Sequence, residues 1–281
     1  MLNRWIGIGV VLAMLAGNTS LFVRDILPRW TAGDPPRVEP QAGDNLLYER
    51  QQIGIFDAHD RCIGHSWTQI QTLERYVSVS STTLLNSIDL PDGLHTPKVR
   101  VDSELRYTGP DQVLDELTIT LHGLPLTVML RGELMPPDQF ACRWQAGREQ
   151  GVFVLDARLT RAFGDVLRPF MRLPGLYVGQ TWRLQLMNPL SQVMPGFSSQ
   201  VLVQEPEIVR VTGTEVIEHA GQAVEAFVVE APRLRAWVAP DGTVLCQEVG
   251  LLPLLGRLIL RDEPFDEEAY NRAQTWRAEN P

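Results

Sequence analysis

The residues best suited to chemistry lie in the segment DAHDRCIGH, which places His59, Cys62 and His65 close together. A thiolate beside an imidazole can act as a nucleophile, and thiolate and imidazole groups are also zinc ligands. The spacing predicts a hairpin tip running into a strand, however, and not the helix start that activates many nucleophilic cysteines. We therefore interpret these residues as hairpin side chains and expect no catalytic, metal-binding or cofactor-binding residues among them.

Other catalytic patterns are also missing from the sequence. Asp102 with Glu104, and Glu225 with Glu230, alternate with apolar residues, which predicts outward-facing strand positions. There is no Gly-x-Ser-x-Gly elbow, phosphate-binding glycine loop, His-Glu-x-x-His pair or dinucleotide fingerprint. The sequence thus favours a protein that is not an enzyme and has no cofactor. A cysteine- or carboxylate-dependent hydrolase is the lesser alternative.

The elements that would position these residues are mainly strands. Short alternating segments separated by turn residues run from Leu46 to Asp156, which predicts a meander of antiparallel strands. Its clearest pair is LTITLHGLPLTVMLRGEL, with a tight turn at Gly123 and Pro125. A second set of strands follows, in which Ile208–Thr214 and Thr214–Ala220 are predicted as consecutive strands. The predicted fold class is mainly β.

Between the two sets of strands, the segment LTRAFGDVLRPFM has apolar residues at helical spacing. Gly164 and Pro169 weaken the predicted helix. Its apolar face would either pack as ordinary core, which we favour, or line an apolar ligand pocket. The pocket residues would be Leu159, Phe163, Leu167 and Phe170.

The N-terminal segment from Ile6 to Val23 is almost uncharged and long enough to cross a bilayer, with Trp5 at one interface. A cleaved signal peptide is the alternative, because polar residues at positions 18–20 interrupt the apolar run. Either interpretation places the rest of the chain outside the cytoplasm. We predict a single-pass inner-membrane protein with a periplasmic domain.

The domain organisation follows from these patterns. We expect an anchor or signal-anchor at residues 1–30, a flexible linker rich in proline, glycine and acidic residues at 31–44, and one antiparallel β domain at 45–262. Residues 263–281 are predicted to form a short acidic tail with a solvated helix that Asp266 caps.

Composition limits the partners. The chain has 44% hydrophobic residues, a formal net charge of −9 and a single lysine, Lys98, and no basic stripe interleaved with aromatic residues. Nucleic-acid binding is therefore excluded from the expected functions.

The three cysteines are Cys62, Cys142 and Cys246. A Cys142–Cys246 disulfide would be possible in an oxidising compartment, but we favour three buried thiols.

The segment RAWVAPDGTVLCQE contains the sharpest turn signal. Pro240 suits the first corner of a type I turn, and Gly242 suits the left-handed position that closes a hairpin. Asp241 is then expected to bond its own turn backbone, and a catalytic role for this carboxylate is disfavoured.

Three segments together carry a family resemblance: YERQQIGIFDAHDRCIGHSWTQI, LPGLYVGQTWRLQLMNPLSQ and RAWVAPDGTVLCQE. They resemble the bacterial extracytoplasmic β domain that is found N-terminal to transglutaminase-like domains. The resemblance implies a curved antiparallel sheet or open half-barrel, similar to periplasmic lipoprotein carriers, with a helix on the concave face. The catalytic transglutaminase domain is expected to be absent.

Two functions remain. The first, which we favour, is a non-catalytic interaction module that is tethered to the membrane by its N-terminal helix and binds an envelope protein through its sheet. The alternative, implied by the resemblance to lipoprotein carriers, is a binder of a lipophilic ligand or lipoprotein in a half-barrel pocket. A permanent anchor favours the first, because a shuttle must travel.

Overall fold

The computed structural model describes residues 14, 17–22, 32–33, 36, 48–73, 75–87, 96–109, 113–123, 126–157, 170, 172–184, 207–252 and 256–276. Most of these residues belong to one large, curved antiparallel sheet, as the mainly β prediction requires. Its strands are β1 (Tyr48–Phe56), β2 (Cys62–Thr72), β3 (Tyr76–Leu85), β4 (Val99–Thr108), β5 (Val113–His122), β6 (Val128–Met135), β7 (Gln139–Ala146), β8 (Glu149–Asp156), β9 (Thr181–Leu184), β10 (Glu207–His219), β11 (Gln222–Ala231), β12 (Leu234–Val238), β13 (Val244–Leu252) and β14 (Gly256–Glu263).

Two meanders build the sheet. The strands follow the order β8-β7-β6-β5-β4-β3-β2-β1-β14-β13-β12-β11-β10-β9. Strands consecutive in sequence pair with each other except β8 and β9, which form the two edges, and β1 pairs with β14. This one long-range pairing joins the two meanders, with Ile55 opposite Leu260. Register shifts interrupt five of the strand pairs, and such bulges increase local twist and bend a sheet.

The structure confirms most predicted strands and corrects one pair. The two consecutive strands predicted between Ile208 and Ala220 are a single strand, β10, with a register shift between Val211 and Gly213. A bulge lets the chain change its pairing without ending the strand, and the interrupted alternation resembles a boundary between two strands. The predicted helix over residues 159–171, apart from Phe170, lies outside the described residues.

The sheet has one face that carries its apolar core, here called the core face. On β9–β14 and β1, one cluster of buried side chains includes Trp182, Val209 and Leu260. On β3–β8, a second cluster includes Leu117 and Phe140. The register places both on the same side of the sheet, because residues opposite each other in antiparallel strands point to the same face.

A strip of buried hydroxyl groups separates the two clusters on the core face. Its members are between 1% and 6% exposed: Ser66, Thr68, Ser81, Thr83 and Ser103. Thr83 donates to Ser66 at 2.7 Å, and the Ser81 and Ser103 hydroxyls lie 2.7 Å apart. Pairing across strands satisfies groups that would otherwise be costly to bury.

The opposite side of the sheet, the outer face, is crossed by the C-terminal helix α1 (Glu267–Thr275). The Asp266 side chain accepts from the backbone N–H of Ala269 at 2.9 Å, so the predicted cap is confirmed. The helix is not fully solvated as predicted, because Ala273 is buried and the centroid of the Tyr270 ring lies 6.4 Å from that of the Trp67 ring. Helix α1 therefore packs on the sheet.

Both ends of α1 are fixed to the outer face by polar contacts. The buried Gln52 side chain accepts from the backbone N–H of Asp266 and from the Trp67 indole, each at 2.8 Å. At the other end, the Arg100 guanidinium donates to the backbone carbonyl oxygens of Gln274 and Trp276. A cationic donor at the last carbonyl groups suits a helix C-terminus.

Within the described part of the chain, no helix is both long and apolar enough to cross a membrane. Of the predicted anchor at residues 1–30, the structure describes only residues 14 and 17–22.

Candidate functional site

Of the four predicted pocket residues, the structure describes one. Phe170 is buried in the first core cluster, and its ring meets that of Trp182 edge-on at a centroid distance of 6.3 Å. Leu159, Phe163 and Leu167 lie outside the described residues. At this one position the side chain is part of the core.

A buried glutamine holds Phe170 against the sheet. Gln247, on β13, is 1% exposed. Its side-chain amide donates to the backbone carbonyl of Phe170 at 2.7 Å, and its amide oxygen accepts from the backbone N–H of Phe170 at 3.2 Å. This pair of hydrogen bonds imitates a strand pairing and fixes the end of the segment before β9.

Of the three residues of the predicted hairpin, the structure brings Cys62 and His65 into contact, and His59 contacts Asp57 instead. His59 is exposed, and its Nδ1 lies 3.9 Å from Asp57 Oδ2. Cys62 Sγ lies 3.8 Å from His65 Nε2, which in turn lies 3.5 Å from Glu263 Oε2. Glu263 was not predicted from the sequence. It comes from β14, which only the long-range pairing with β1 brings to this place.

The Cys62–His65–Glu263 group does not have the geometry of a catalytic triad. In a triad the imidazole contacts the nucleophile through one ring nitrogen and the orienting carboxylate through the other. Here both neighbours lie near the same nitrogen, Nε2. In the described ranges, no group of three or more histidine, cysteine, aspartate or glutamate side chains could hold a metal ion.

Asp57 has a structural role at the tip of the β1–β2 hairpin. Its carboxylate accepts from the backbone N–H groups of Arg61 at 3.0 Å and His59 at 2.8 Å, and from Arg61 Nε at 2.7 Å. The Arg61 backbone N–H is the main cause that lowers the pKa of Asp57 to about 2, against the cost of burial. The polar residues of this segment therefore form the turn.

The Asp241 turn also forms as predicted. The backbone N–H of Gly242 donates to Ala239 at 2.9 Å, and Gly242 has a φ of 89°. Asp241 accepts from the backbone N–H and the hydroxyl of Thr243, each at 2.9 Å. The Thr243 backbone N–H is the main cause that lowers the pKa of Asp241.

The carboxylates predicted to face outward are either exposed or held by neighbouring side chains. Asp102 pairs with Arg100 at 2.9 Å and accepts from the Thr82 hydroxyl at 3.0 Å. Glu104 and Glu225 are exposed.

All three cysteines are free thiols, so the disulfide between Cys142 and Cys246 is not present. In the sheet order seven strands, β6 to β1 and β14, lie between the strands that carry them. Burial raises the pKa of Cys142 to about 12 and also raises that of Cys246, where Arg261 opposes the effect. Only Cys142 of the three is buried: Cys62 is exposed and Cys246 is half-buried, so the favoured prediction of three buried thiols is wrong.

The surface best suited to binding is the free side of β8, the last strand at one edge of the sheet. No strand in the described ranges pairs with that side. Val152 and Val154 are 66% and 54% exposed. Gly151 lies opposite Trp144 on the core face, against the Trp144 ring. The next residue, Val152, lies opposite Arg143, so Val152 and Val154 point to the outer face. β8 is thus a long edge strand with an apolar centre.

The other edge of the sheet, strand β9, is shorter and is partly covered. Strand β9 has only four residues, and Gly33 runs parallel beside it. The Gly33 backbone N–H donates to Thr181 at 3.1 Å, and its carbonyl accepts from the Arg183 backbone N–H at 3.3 Å. This edge is short and already carries a contact, so β8 is the more accessible of the two edges.

No protein-family model, no curated protein and no solved structure matches this chain.

Proposed function

We propose that this protein is a non-catalytic interaction module of the bacterial envelope. In this proposal its N-terminal segment tethers the sheet to the inner membrane from the periplasmic side. The sheet binds an extended segment of an envelope protein by strand addition. The observation that carries the proposal is the accessible edge of β8.

An accessible edge strand offers a row of backbone donors and acceptors to another strand. Natural edges are usually protected by a short strand, by proline or by charged side chains within the strand. β8 has eight residues, no proline, and the sequence GVFVL between its charged ends. Its exposed valines would give such a pairing apolar side-chain contacts in addition to backbone hydrogen bonds.

The second candidate is binding of a lipophilic ligand or lipoprotein on the core face. It is favoured by the apolar clusters that cover this face on either side of the hydroxyl strip. The double hydrogen bond from Gln247 to Phe170 counts against it, because it fixes one of the four predicted pocket residues in the core. Strand addition at β8 is therefore the better supported function.

Site-specific photo-crosslinking in the native envelope tests this proposal. A photoreactive amino acid replaces Val152 in the full-length protein, and the matched control carries it at Val216, an exposed valine of β10 that is 70% exposed. A discrete covalent adduct at position 152 and none at 216 is the expected result. Absence of an adduct at 152, or the same adduct at both positions, would refute strand addition at β8.

A further inference from the structure

We infer that the turn at residues 177–180, just before β9, lies on the membrane surface and inserts Tyr177 and Val178 into the phospholipid interface. This inference rests on the proposed function, since that proposal tethers the sheet to the membrane through the N-terminal segment. Its basis is the exposure of these two side chains, the position of Gly33 beside β9 and the charge of the surrounding sequence.

The 177–180 turn is held in shape by its own polar groups and by β10. The backbone N–H of Gln180 donates to the Tyr177 carbonyl at 3.1 Å, and the Gln180 side-chain oxygen accepts from the Tyr177 backbone N–H at 3.3 Å. The backbone N–H of Gly179 donates to the Val211 carbonyl at 2.8 Å, and that of Val211 donates to the Gln180 carbonyl at 2.9 Å. A partner therefore meets a preformed surface, which lowers the cost of binding.

The tip of this turn carries two exposed side chains with apolar surface. Tyr177 is 64% exposed and Val178 is 55% exposed, whereas the preceding Leu176 packs against the first core cluster. The core thus holds the turn at Leu176 and leaves the next two side chains in contact with solvent. Tyrosine is enriched at membrane–water interfaces, where its ring meets the acyl region and its hydroxyl stays hydrated. A tyrosine beside a valine on a rigid turn suits such an interface.

The N-terminal part of the chain brings this turn close to the predicted membrane segment. The backbone N–H of Gly33 donates to Thr181, the residue directly after the turn, at 3.1 Å. The predicted segment ends at Val23, ten residues before Gly33. Ten residues span at most about 36 Å, which limits the distance between the turn and the bilayer.

The two edges of the sheet therefore differ in their distance from the tether. Strand β9, next to the turn, is at one edge, and β8 is at the other, thirteen strands away. At about 4.8 Å per strand, this separation is roughly 60 Å measured along the sheet. The exposed pair Tyr177 and Val178 lies at the tethered edge, which favours lipid as its partner. Val152 and Val154, at the distant edge, stay available to a protein.

The charge around the turn allows this approach although the whole protein is acidic. Anionic phospholipids attract arginine and repel carboxylates. Residues 166–204 contain three arginines and no aspartate or glutamate, whereas the whole chain has a formal net charge of −9. Arg172, one of these arginines, is exposed and also lowers the pKa of Asp241 in the neighbouring turn, so part of its charge is balanced. The segment as a whole does not repel an anionic surface.

Photo-crosslinking to lipid tests the inference. The full-length protein carries a diazirine amino acid in place of Val178 and is reconstituted in vesicles of phosphatidylethanolamine and phosphatidylglycerol, and mass spectrometry identifies phospholipid adducts after irradiation. The matched control carries the same amino acid in place of Val152, which is 66% exposed at the opposite edge. We expect about tenfold more phospholipid adduct at position 178, because a side chain in the interface remains in contact with lipid. Equal yields at the two positions overturn the inference.

A carboxylate at the tip provides a second test. With the diazirine amino acid in place of Tyr177, Val178→Asp should lower the yield of phospholipid adduct about fivefold, since one charge near an anionic surface changes binding by about that factor. The control Val154→Asp makes the same change at the opposite edge and should leave the yield unchanged. Both valines are exposed, so neither change disturbs the core. If Val178→Asp and Val154→Asp give the same yield, the turn does not enter the interface.

Three outcomes separate this inference from the proposed function. Retention of the protein in membranes after carbonate extraction, without an adduct at position 178, refutes the inference and leaves the tether in place. Release of the protein by carbonate refutes the tether and, with it, this inference. A phospholipid adduct at position 178, without any protein adduct at Val152 in the native envelope, supports the inference and refutes strand addition at β8.

Discussion

Replacement of Gln247 by methionine should destabilise the protein strongly, although methionine has a similar length and suits a buried site. The variant loses two hydrogen bonds to the backbone of Phe170. A net hydrogen bond contributes about 1 kcal/mol, and a buried group left without a partner costs about 1–3 kcal/mol. We therefore expect the free energy of unfolding to fall by about 2–4 kcal/mol.

Urea denaturation, followed by circular dichroism, measures this loss. With a slope of about 2–3 kcal/mol per molar urea for a domain of this size, the midpoint should fall by roughly 1 M while the slope stays constant. The matched control is Gln71→Met on β2, where the glutamine is exposed. That variant should stay within about 0.5 kcal/mol of the wild type.

The reasoning would be refuted if Gln247→Met and Gln71→Met had the same stability. In that case Gln247 would not fix the segment that ends at Phe170. A second variant, Gln247→Glu, keeps one acceptor and loses the amide donor, so it should be at least as unstable as Gln247→Met at neutral pH. A Gln247→Glu protein as stable as the wild type would show that the bond to the Phe170 carbonyl contributes nothing.

Three other predictions follow from the geometry. A thiol reagent should label Cys62 in the native protein but Cys142 only after unfolding, and mass spectrometry of the labelled peptides checks this difference. Asp57→Asn should lower stability at neutral pH. Because the pKa of Asp57 is about 2 in the folded protein and about 3.9 when unfolded, its contribution is complete above about pH 5 and is lost as the pH falls towards 2. Urea midpoints of wild type and variant should therefore converge in acid, and a constant difference would contradict this assignment. Ser81→Ala should cost about 1–2 kcal/mol by leaving the Ser103 hydroxyl without its 2.7 Å partner, whereas Ser81→Ala/Ser103→Ala should recover part of that loss in thermal unfolding.

Local patterns in the sequence were enough to predict the local structure. Alternation located the strands of both meanders, and turn chemistry located the Asp241 hairpin, because each depends on residues adjacent in the chain. The same is true of the Asp266 cap. The extension of β10 through its bulge was missed, since one additional residue in a strand shifts the alternation and resembles a break.

Contacts between distant parts of the chain could not be predicted in this way. Glu263 reaches His65 only because β14 pairs with β1, and nothing near either residue in the sequence indicates that pairing. The docking of α1 was missed for a related reason. Most of its residues are polar, and the contacts that attach it involve single side chains such as Ala273 and Tyr270 rather than a continuous apolar stripe.

The hydroxyl strip was missed although its signal is visible in the sequence. Strand β3 reads YVSVSSTTLL, and its core-face positions change from valine to serine and threonine and then to leucine. Alternation of period two predicts which residues share a face, but it does not predict that a polar position on that face is buried. Burial depends on the neighbouring strands, where Ser66 and Ser103 supply the hydrogen-bond partners.

The position of α1 bears on how the β8 edge could be used. The contacts of this helix reach Gln52 on β1, Trp67 on β2 and Arg100 on β4, all in the middle of the sheet. β8 lies at the far edge, four strands beyond β4. A strand added to β8 would therefore extend the sheet without displacing α1 from its polar and aromatic contacts. Because the helix and the edge use different strands, partner binding at β8 does not have to compete with the contacts that hold the C-terminus on the sheet.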